Sequence, residues 1–373
     1  MIKKPLMATV DLHDKPFDET TKIKLTLFES YAQAWIPTFI MAGFSKELHI
    51  FDFFAGTGYD KNKSPGSPIR LLEKVIEQAD LIFKRRIKII LHFNEFDSEK
   101  FEVLKSSCES KMITCENGLK NHVDIKYYNE DFAILFPSLM PLIAKHPSLV
   151  YLDQNGIKFI SQEYFLELAK TSQTDFMYFL SSSYFVRFGN SPEFKKHIDL
   201  NIDDLKKRGY EKIHRNICDH LKESLPPDSS LKLYPFSLRK GVNIHGVIFG
   251  AKHHRAVDKF LSIAWKLNPI NGDANFDIDN EANLGQIDMF KGQRISKIDS
   301  FKKEVRDKIL SEEIKTNKEL LNFTFEKGHI GKHANECLKE MKKNKEITYN
   351  ANSPCVTYDS VYKNEKIVHY EKI

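Results

Sequence analysis

Short apolar runs and amphipathic stretches alternate along the first half of the chain. Apolar residues recur at helical spacing from Lys22 to Met41, which predicts an amphipathic helix that is bent or interrupted near Pro37. Five runs rich in β-branched and aromatic residues follow, and they lack polar alternation, as expected for parallel strands covered on both faces. These predicted strands are Leu48–Phe54, Ile87–Phe93, Val123–Tyr127, Leu149–Leu152 and Phe176–Leu180.

The next segment predicts a change of direction in the sheet. Leu231–Leu238 and Asn243–Gly250 are joined by the short turn Arg239–Gly241, a pattern that indicates an antiparallel hairpin. Five strands with crossovers followed by such a pair are the ground plan of class I methyltransferases. The sequence therefore predicts an α/β, Rossmann-type sheet of seven strands in which the last strand is antiparallel.

The tail predicts a smaller, winged-helix-like domain. The helical pattern Lys332–Lys345 is followed by the short strand Glu346–Tyr349, a turn containing proline, and the strand Val356–Tyr358. Lysines and His333 on this helix would meet phosphates if it is a recognition helix, whereas the interspersed glutamates fit a solvated face equally well. We divide the chain into a helical lead-in, a Rossmann domain, a loop with a connecting helix, and a winged-helix-like domain, at 1–45, 46–270, 271–318 and 319–373.

Composition narrows the classes of protein. The 373 residues are 41% hydrophobic and 29% charged, an ordinary globular balance. The sequence has neither an eighteen-residue apolar run nor the pattern of a signal peptide, so we expect no membrane span. The five cysteines are scattered, which argues against a zinc site or a disulfide framework and fits a reduced, cytoplasmic setting. A net charge of +5 permits a nucleic-acid partner without requiring one.

The strongest motif is Asp52-Phe53-Phe54-Ala55-Gly56-Thr57-Gly58, at the end of the first predicted strand. Glycines let the backbone approach a ligand closely and take positive φ angles. The third glycine of a pyrophosphate-binding loop is missing, which favours the loop that holds S-adenosylmethionine in methyltransferases. We expect cofactor contacts from Asp52, Phe54, Gly56 and Gly58; the alternative is a strand-to-helix turn that binds nothing.

Acidic residues follow the next two strands in the order that such a cofactor requires. Glu95, or alternatively Asp97, is placed to accept hydrogen bonds from both ribose hydroxyls. Asp131 is placed to accept from the adenine amino group, with Phe132 against the ring. The alternatives are a solvated acidic turn at Glu95 and a helix N-cap at Asp131.

The fourth predicted strand ends at Asp153-Gln154-Asn155-Gly156. In amino-methylating enzymes this position accepts hydrogens from the target amine and so directs its lone pair toward the methyl group. We therefore take Asp153, Gln154 and Asn155 as catalytic candidates, with Phe159 as the aromatic that stacks on the substrate base. In the alternative, Asp153 caps a helix in an inactive domain. No metal is needed for this chemistry.

Basic residues elsewhere are candidates for contacting the substrate. Arg187, after the fifth strand, can hold a phosphate or take part in a structural ion pair. Lys252 and His253 open the helix after the last strand, and they either contact phosphate or simply start that helix.

These residues belong to a wider resemblance. The chain resembles the three-Cys-motif partner protein family (TcmP) nearly end to end, through Thr21–Lys24, Asp52–Gly58, Gly250–His254, Asn271–Asp277 and Gly328–Ala334. The family usually has Asp-Pro-Phe-Gly at the fourth strand tip, where this chain has Asp153–Gly156. The resemblance implies a methyltransferase-like fold, a partner protein with a three-cysteine, radical-SAM-like motif, and a phage-defence or mobile-element setting.

Two hypotheses for function follow. In the first, the protein transfers a methyl group from S-adenosylmethionine to an exocyclic or ring nitrogen of a nucleic acid, DNA or tRNA. In the second, it is a catalytically silent, methyltransferase-like binding module that scaffolds a partner protein and nucleic acid. The intact glycine turn and its acids favour the first hypothesis, and the altered fourth strand tip favours the second.

Overall fold

The computed structural model describes residues 16–113, 118–153, 162–181, 209–279 and 295–373. The chain divides into two compact units, Met1–Gln154 and Asn155–Ile373. No helix in the described ranges is long and apolar enough to cross a membrane.

Seven strands form one mixed sheet in the order β3-β2-β1-β4-β5-β7-β6. β1 pairs in parallel with both β2 and β4, and β2 pairs in parallel with β3. β7 runs antiparallel to both β5 and β6. This topology confirms the predicted methyltransferase-type fold. The strands are β1 (Glu47–Asp52), β2 (Lys88–Asn94), β3 (Val123–Tyr128), β4 (Ser148–Leu152), β5 (Thr174–Ser181), β6 (Lys232–Lys240) and β7 (Asn243–Ala251).

The helices of the first unit follow the predicted alternation. The first of them passes through Pro37 without a break, so of the bend or interruption predicted there the interruption is wrong. The helices are α1 (Glu19–Ala42), α2 (Ser67–Ile76), α3 (Ala79–Arg85), α4 (Ser98–Ile113) and α5 (Phe132–Lys145).

Helix α1 is defined at both ends by its sequence and packs on the sheet by its apolar face. The Asp18 side chain accepts a hydrogen bond from the Thr21 N–H at 2.8 Å, and Gly43 ends the helix with φ 74°. Phe28 stacks on Tyr151 of β4, with ring centroids 3.8 Å apart. The helix therefore lies against the strand that leads to Asp153.

The second unit contains the remaining α-helices and a two-stranded sheet, besides the short helical turns Tyr210–Lys212 and Asp359–Lys363. In the described ranges these are α6 (Gln162–Lys170), α7 (Ile213–Glu223), α8 (His254–Leu267), α9 (Lys297–Leu310), α10 (Asn317–Glu326), α11 (Gly331–Lys343), β8 (Ile347–Thr348) and β9 (Glu371–Lys372).

The predicted tail hairpin is wrong in one of its strands. β8 pairs with β9, and not with the segment around Val356. The Asn335 side chain donates to the Val356 carbonyl at 2.9 Å and accepts from its N–H at 3.1 Å. Because a side-chain amide satisfies both backbone groups of Val356, they are not available for a strand pair.

Candidate functional site

The glycine loop follows β1 directly, as the sequence predicted. Gly56 and Gly58 have φ angles of 65° and 89°, which side chains disfavour. A Cβ at Gly58 would lie 3.0 Å from the Cβ of Ser107, so this position lacks space as well as a suitable φ for a larger residue. Helix α2 begins only at Ser67, after a turn in which the Gly66 N–H donates to the Gly58 carbonyl at 2.8 Å.

Glu95 lies beside this loop and fixes its shape. One carboxylate oxygen accepts from the Gly56 N–H at 3.0 Å, and the other accepts from the Asp97 N–H at 2.9 Å. A carboxylate has about four lone-pair sites, so two acceptor positions remain for ligand hydroxyls. Asp97 instead accepts from two N–H groups of the first turn of α4, and this helix-capping role favours Glu95 over Asp97 as a ligand-binding group.

Asn94 joins three strand ends and was not predicted. Its Nδ2 donates to the Phe53 and Glu130 carbonyls, each at 3.1 Å, and its Oδ1 accepts from the Glu130 N–H at 3.2 Å. The side chain is buried, so these hydrogen bonds hold the ends of β1, β2 and β3 in one register. The pattern Phe-Asn-Glu after a strand gave no signal for this, because the partners are backbone groups from distant segments.

Asp131 and Phe132 lie at the end of β3, where α5 begins. Asp131 caps that helix by accepting from the Ala133 N–H at 2.8 Å, which is the alternative that the sequence left open. Capping uses one oxygen and leaves the other able to accept from a ligand. Phe132 is 2% exposed and packs 5.2 Å from the half-buried Phe54 ring, so Phe54 presents more surface than Phe132.

Asp52 is a buried carboxyl at the base of the site. Its Oδ1 accepts from the Phe54 N–H at 3.2 Å, and no hydrogen bond to Oδ2 is found within the described residues. Burial raises the pKa of Asp52 to about 7; the nearby Ser67 hydroxyl opposes this rise, and the Asp153 carboxylate adds to it. A buried acceptor of this kind fits a ligand that brings an ammonium or hydroxyl donor.

Asp153, at the end of β4, forms an ion pair that the sequence did not predict. Its carboxylate lies 2.5 Å from the Lys24 ammonium of α1, and both side chains are largely buried, with 19% and 11% exposure. Burying a lysine is costly unless a carboxylate compensates it, so the pair is a specific feature of this site. The sequence did contain a signal for this pair: Lys24 lies four residues before Phe28, on the helix face that packs on the sheet.

The remaining candidates lie either outside the described ranges or in the second unit. Gln154, Asn155, Phe159 and Arg187 lie outside the described ranges. Lys252 and His253 belong to the second unit, where the His253 ring caps α8 by accepting from the Arg255 N–H at 3.1 Å. The functional roles of all these residues stay predictions.

The tail helix α11 is basic on its exposed side only. His333, predicted to belong to the basic face, is instead 7% exposed and packs against the Trp265 ring at 4.4 Å. Burial lowers the pKa of His333 to about 4, so the ring is neutral at pH 7. The phosphate-binding role predicted for His333 is therefore wrong. The lysines of the helix do face solvent: the Lys332 side chain is 74% exposed, and Lys339 and Lys343 are exposed as well.

The tail of the chain matches a known domain family. The profile of the GMT-like wHTH domain family matches residues 275–354, which confirms the winged helix predicted from the tail. The matched range begins before the predicted boundary at 319, and the domain boundaries remain predictions. No curated protein matches the chain.

Several solved methyltransferase structures are similar to the chain in fold. Trm1 from Pyrococcus horikoshii, in complex with S-adenosyl-L-methionine, is 12% identical with a TM-score of 0.33, over 66% of this chain and 59% of that chain. The METTL16 MTase domain is 12% identical with a TM-score of 0.31, over 62% and 69%. The human methyltransferase 10 domain containing protein is 11% identical with a TM-score of 0.29, over 68% and 89%. The chain spans about six tenths of the Pyrococcus protein's length.

Proposed function

We propose that the protein is an S-adenosylmethionine-dependent methyltransferase that acts on an exocyclic or ring nitrogen of a nucleic acid. The observation that carries this proposal is the strand order: the glycine loop, Glu95, Asp131 and Asp153 follow β1, β2, β3 and β4, which are neighbours in the sheet. In open α/β sheets ligands bind at this edge. The spare acceptor positions of Glu95 and Asp131 match the hydroxyls and amino group of an adenosine.

The buried end of the site fits the amino-acid part of the same cofactor. Asp52 offers a buried oxygen that has no hydrogen-bond partner in the described part of the chain. An ammonium group placed there would supply both a hydrogen bond and a compensating charge. When bound, S-adenosylmethionine would supply an electrophilic methyl carbon and a thioether leaving group.

Asp153 is the group that would act on the substrate. Its carboxylate would accept an N–H of the target amine and direct the nitrogen lone pair at the methyl carbon. With the cofactor bound, the nitrogen would gain the methyl group as the C–S bond breaks with its electrons going to sulfur, and the extra proton on nitrogen would leave to solvent. Lys24 would act as a positioning residue, because it holds Asp153 in place and the incoming amine must compete with it.

Cofactor binding tests the first half of the proposal. Asp131→Ser keeps a good N-cap for α5 and removes a carboxylate that reaches the ligand. Asp18→Ser makes the same change at the N-cap of α1 and serves as the matched control. Calorimetry should show S-adenosylmethionine binding to the wild type and to Asp18→Ser, and binding weakened about 10-fold or more in Asp131→Ser, since a charge-assisted hydrogen bond contributes about 1.5–3 kcal/mol. Equal affinities in all three proteins would remove Asp131 from the site, and no binding to the wild type would refute the cofactor.

Methyl transfer tests the second half. Labelled methyl transfer to pools of tRNA and DNA should be lost in Asp153→Ala while cofactor affinity is kept. Lys24→Gln should lower kcat and move the acidic limb of the pH profile to higher pH, because Lys24 lowers the pKa of the neighbouring Asp52. Transfer that persists in Asp153→Ala would contradict the assignment.

A second candidate function is a binding module without catalysis, as the sequence analysis left open. The Lys24–Asp153 pair favours it, because the carboxylate that should accept the target amine already has a buried cation at 2.5 Å. Cofactor binding with no transfer to any nucleic-acid pool would support the module. The winged helix would then supply nucleic-acid binding through the exposed lysines of α11, and the three-Cys-motif partner protein remains a prediction from the resemblance.

A further inference from the structure

A cluster of two histidines and a glutamate lies at the end of the sheet opposite the glycine loop, where β1 begins. His49 is a buried residue of β1, Glu47 is the first residue of that strand, and His146 lies two residues before β4. Among the described residues, the donor atoms of these three side chains all lie within 4.8 Å of one another. Glu47 and the glycine loop lie at opposite ends of β1, about 16–20 Å apart for a strand of this length, so the cluster is not part of the cofactor site.

His49 leaves one ring nitrogen without a partner. The side chain is buried, and its Nε2 has no hydrogen bond within the described part of the chain. A Glu47 carboxylate oxygen lies 3.9 Å from this nitrogen and 4.0 Å from the His146 Nδ1, too far for a hydrogen bond. An unpaired buried polar atom of this kind costs free energy unless something binds to it.

The other nitrogen of His49 is held in a short chain of hydrogen bonds. His49 Nδ1 lies 3.0 Å from His92 Nε2, and His92 Nδ1 lies 2.9 Å from the Tyr128 hydroxyl. If each histidine donates along this chain toward Tyr128, the His49 Nε2 carries a lone pair on the side of Glu47 and His146. If the protons run in the opposite direction, Nε2 carries a hydrogen that has no acceptor in reach among the described residues. A cation bound at Nε2 would require the first arrangement of protons. It would also give this nitrogen the partner that it lacks among the described residues.

We infer that Glu47, His49 and His146 form a site for a divalent transition-metal ion, with zinc the best fit. Two imidazoles and one carboxylate are a common zinc donor set, and a solvent molecule would complete the tetrahedron. The His92–Tyr128 chain is the outer hydrogen bonding that metal-bound histidines require. Calcium and magnesium, which prefer oxygen donors, fit poorly.

The geometry of the three side chains allows the ion. Tetrahedral zinc at about 2.0–2.2 Å brings donor atoms to within about 3.4 Å of one another. The Glu47 side chain is 44% exposed and the His146 side chain 18%, so both lie on the accessible side and can close on a buried His49. The ion would fasten the start of β1 to the connection between α5 and β4.

Zinc titration of untagged protein, stripped with a chelator, tests the site. Calorimetry should show one zinc ion per chain, and cobalt(II) should give the visible absorption bands of a tetrahedral centre. Glu47→Gln and His146→Gln should each weaken zinc binding at least about 10-fold, and His92→Gln should weaken it about 10–100-fold, as outer hydrogen-bond partners do. His122→Gln is the matched control. His122 is a half-buried histidine of the same unit, and its ring forms a hydrogen bond with the Ile87 carbonyl and belongs to no metal-binding cluster among the described residues.

The outcomes separate the site from general metal binding and from misfolding. Circular dichroism and thermal melting in chelator must be alike for wild type and variants, and the half-exposed Glu47→Gln is the variant least able to disturb the fold. Absence of stoichiometric zinc binding, or equal binding by Glu47→Gln and His146→Gln, would overturn the inference. An equal loss in His122→Gln would do the same, because it would show binding spread over surface histidines. S-adenosylmethionine binding is measured in parallel, and its failure would leave the zinc result intact.

Discussion

Substitution of the buried Asp52 by asparagine should stabilise the protein at pH 8 while it weakens the cofactor site. The pKa of this carboxyl rises from 3.8 to about 7 in the folded state. A carboxyl whose pKa is raised binds more protons folded than unfolded, so stability falls as the pH rises from about 4 to about 7. A shift of about three units corresponds to about 4 kcal/mol, all of it lost above pH 7.

The asparagine side chain would remove this penalty at a smaller cost. Its carbonyl oxygen can still accept from the Phe54 N–H, but its amide brings a buried donor that costs about 1–3 kcal/mol if unpaired. We therefore expect Asp52→Asn to gain about 1–3 kcal/mol at pH 8 and to lose most of the pH dependence between pH 4 and 7. S-adenosylmethionine should bind more weakly, since the ammonium group loses its compensating charge.

The first unit can be followed separately by fluorescence. The chain has two tryptophans, and Trp35, 2% exposed in α1, remains alone in a Trp265→Phe background. Urea midpoints of Trp35 fluorescence between pH 4 and 8 then measure the effect in that unit. Asp60→Asn is the control, because Asp60 affects the pH dependence of stability with the opposite sign. Three backbone N–H groups bind Asp60 and lower its pKa, so the stability that it contributes is present above pH 4 and is lost as the pH falls. Destabilisation by Asp52→Asn at pH 8, with an unchanged pH dependence, would refute the reasoning.

Three further predictions concern the second unit. Gly331→Ala should destabilise the winged helix by about 3 kcal/mol in thermal melts, because its Cβ would lie 2.1 Å from the Val356 carbonyl oxygen. In the same assay Gly328→Ala should cost about 1 kcal/mol, because the site has open space and only its φ of 69° is unfavourable for alanine. Thr316→Ala should lower stability by about 1 kcal/mol, because it removes one half of a capping box, and Thr316→Ser should restore it. Arg215→Met should cost about 3 kcal/mol in urea unfolding, because it takes a shared guanidinium away from the part-buried Asp273 and Asp279. A loss below about 1 kcal/mol, the range of exposed pairs, would show that solvent and the neighbouring lysines replace that guanidinium.

Patterns along the chain predicted the class of sheet and placed three acids at strand ends. The apolar runs and the final hairpin matched the ground plan of class I methyltransferases, and the carboxyl ends of parallel strands must meet at one edge. Glu95, Asp131 and Asp153 were therefore predicted as neighbours. Their individual partners were not: the backbone groups that bind Glu95 and Asp131 leave no mark in the sequence of those acids.

Long-range partners explain most of what the patterns missed. Lys24 and Asp153 are far apart in sequence, and only the packing of α1 on β4 places them 2.5 Å apart. The tail hairpin failed for a similar reason, since the Asn335 amide occupies the backbone groups of Val356. His333 was placed on a basic face, but the contact with Trp265 buries it.

By itself, the sequence determined the architecture: the alternation of strands and helices, the antiparallel last strand and the glycine turn follow from local periodicity and from what glycine permits. Tertiary structure alone decided which polar groups are buried together. Desolvation depends on which groups pack around a side chain. The raised pKa of Asp52 therefore arises only when distant segments exclude water from it. The cluster of Glu47, His49 and His146 likewise forms only when the start of β1 packs beside the segment before β4.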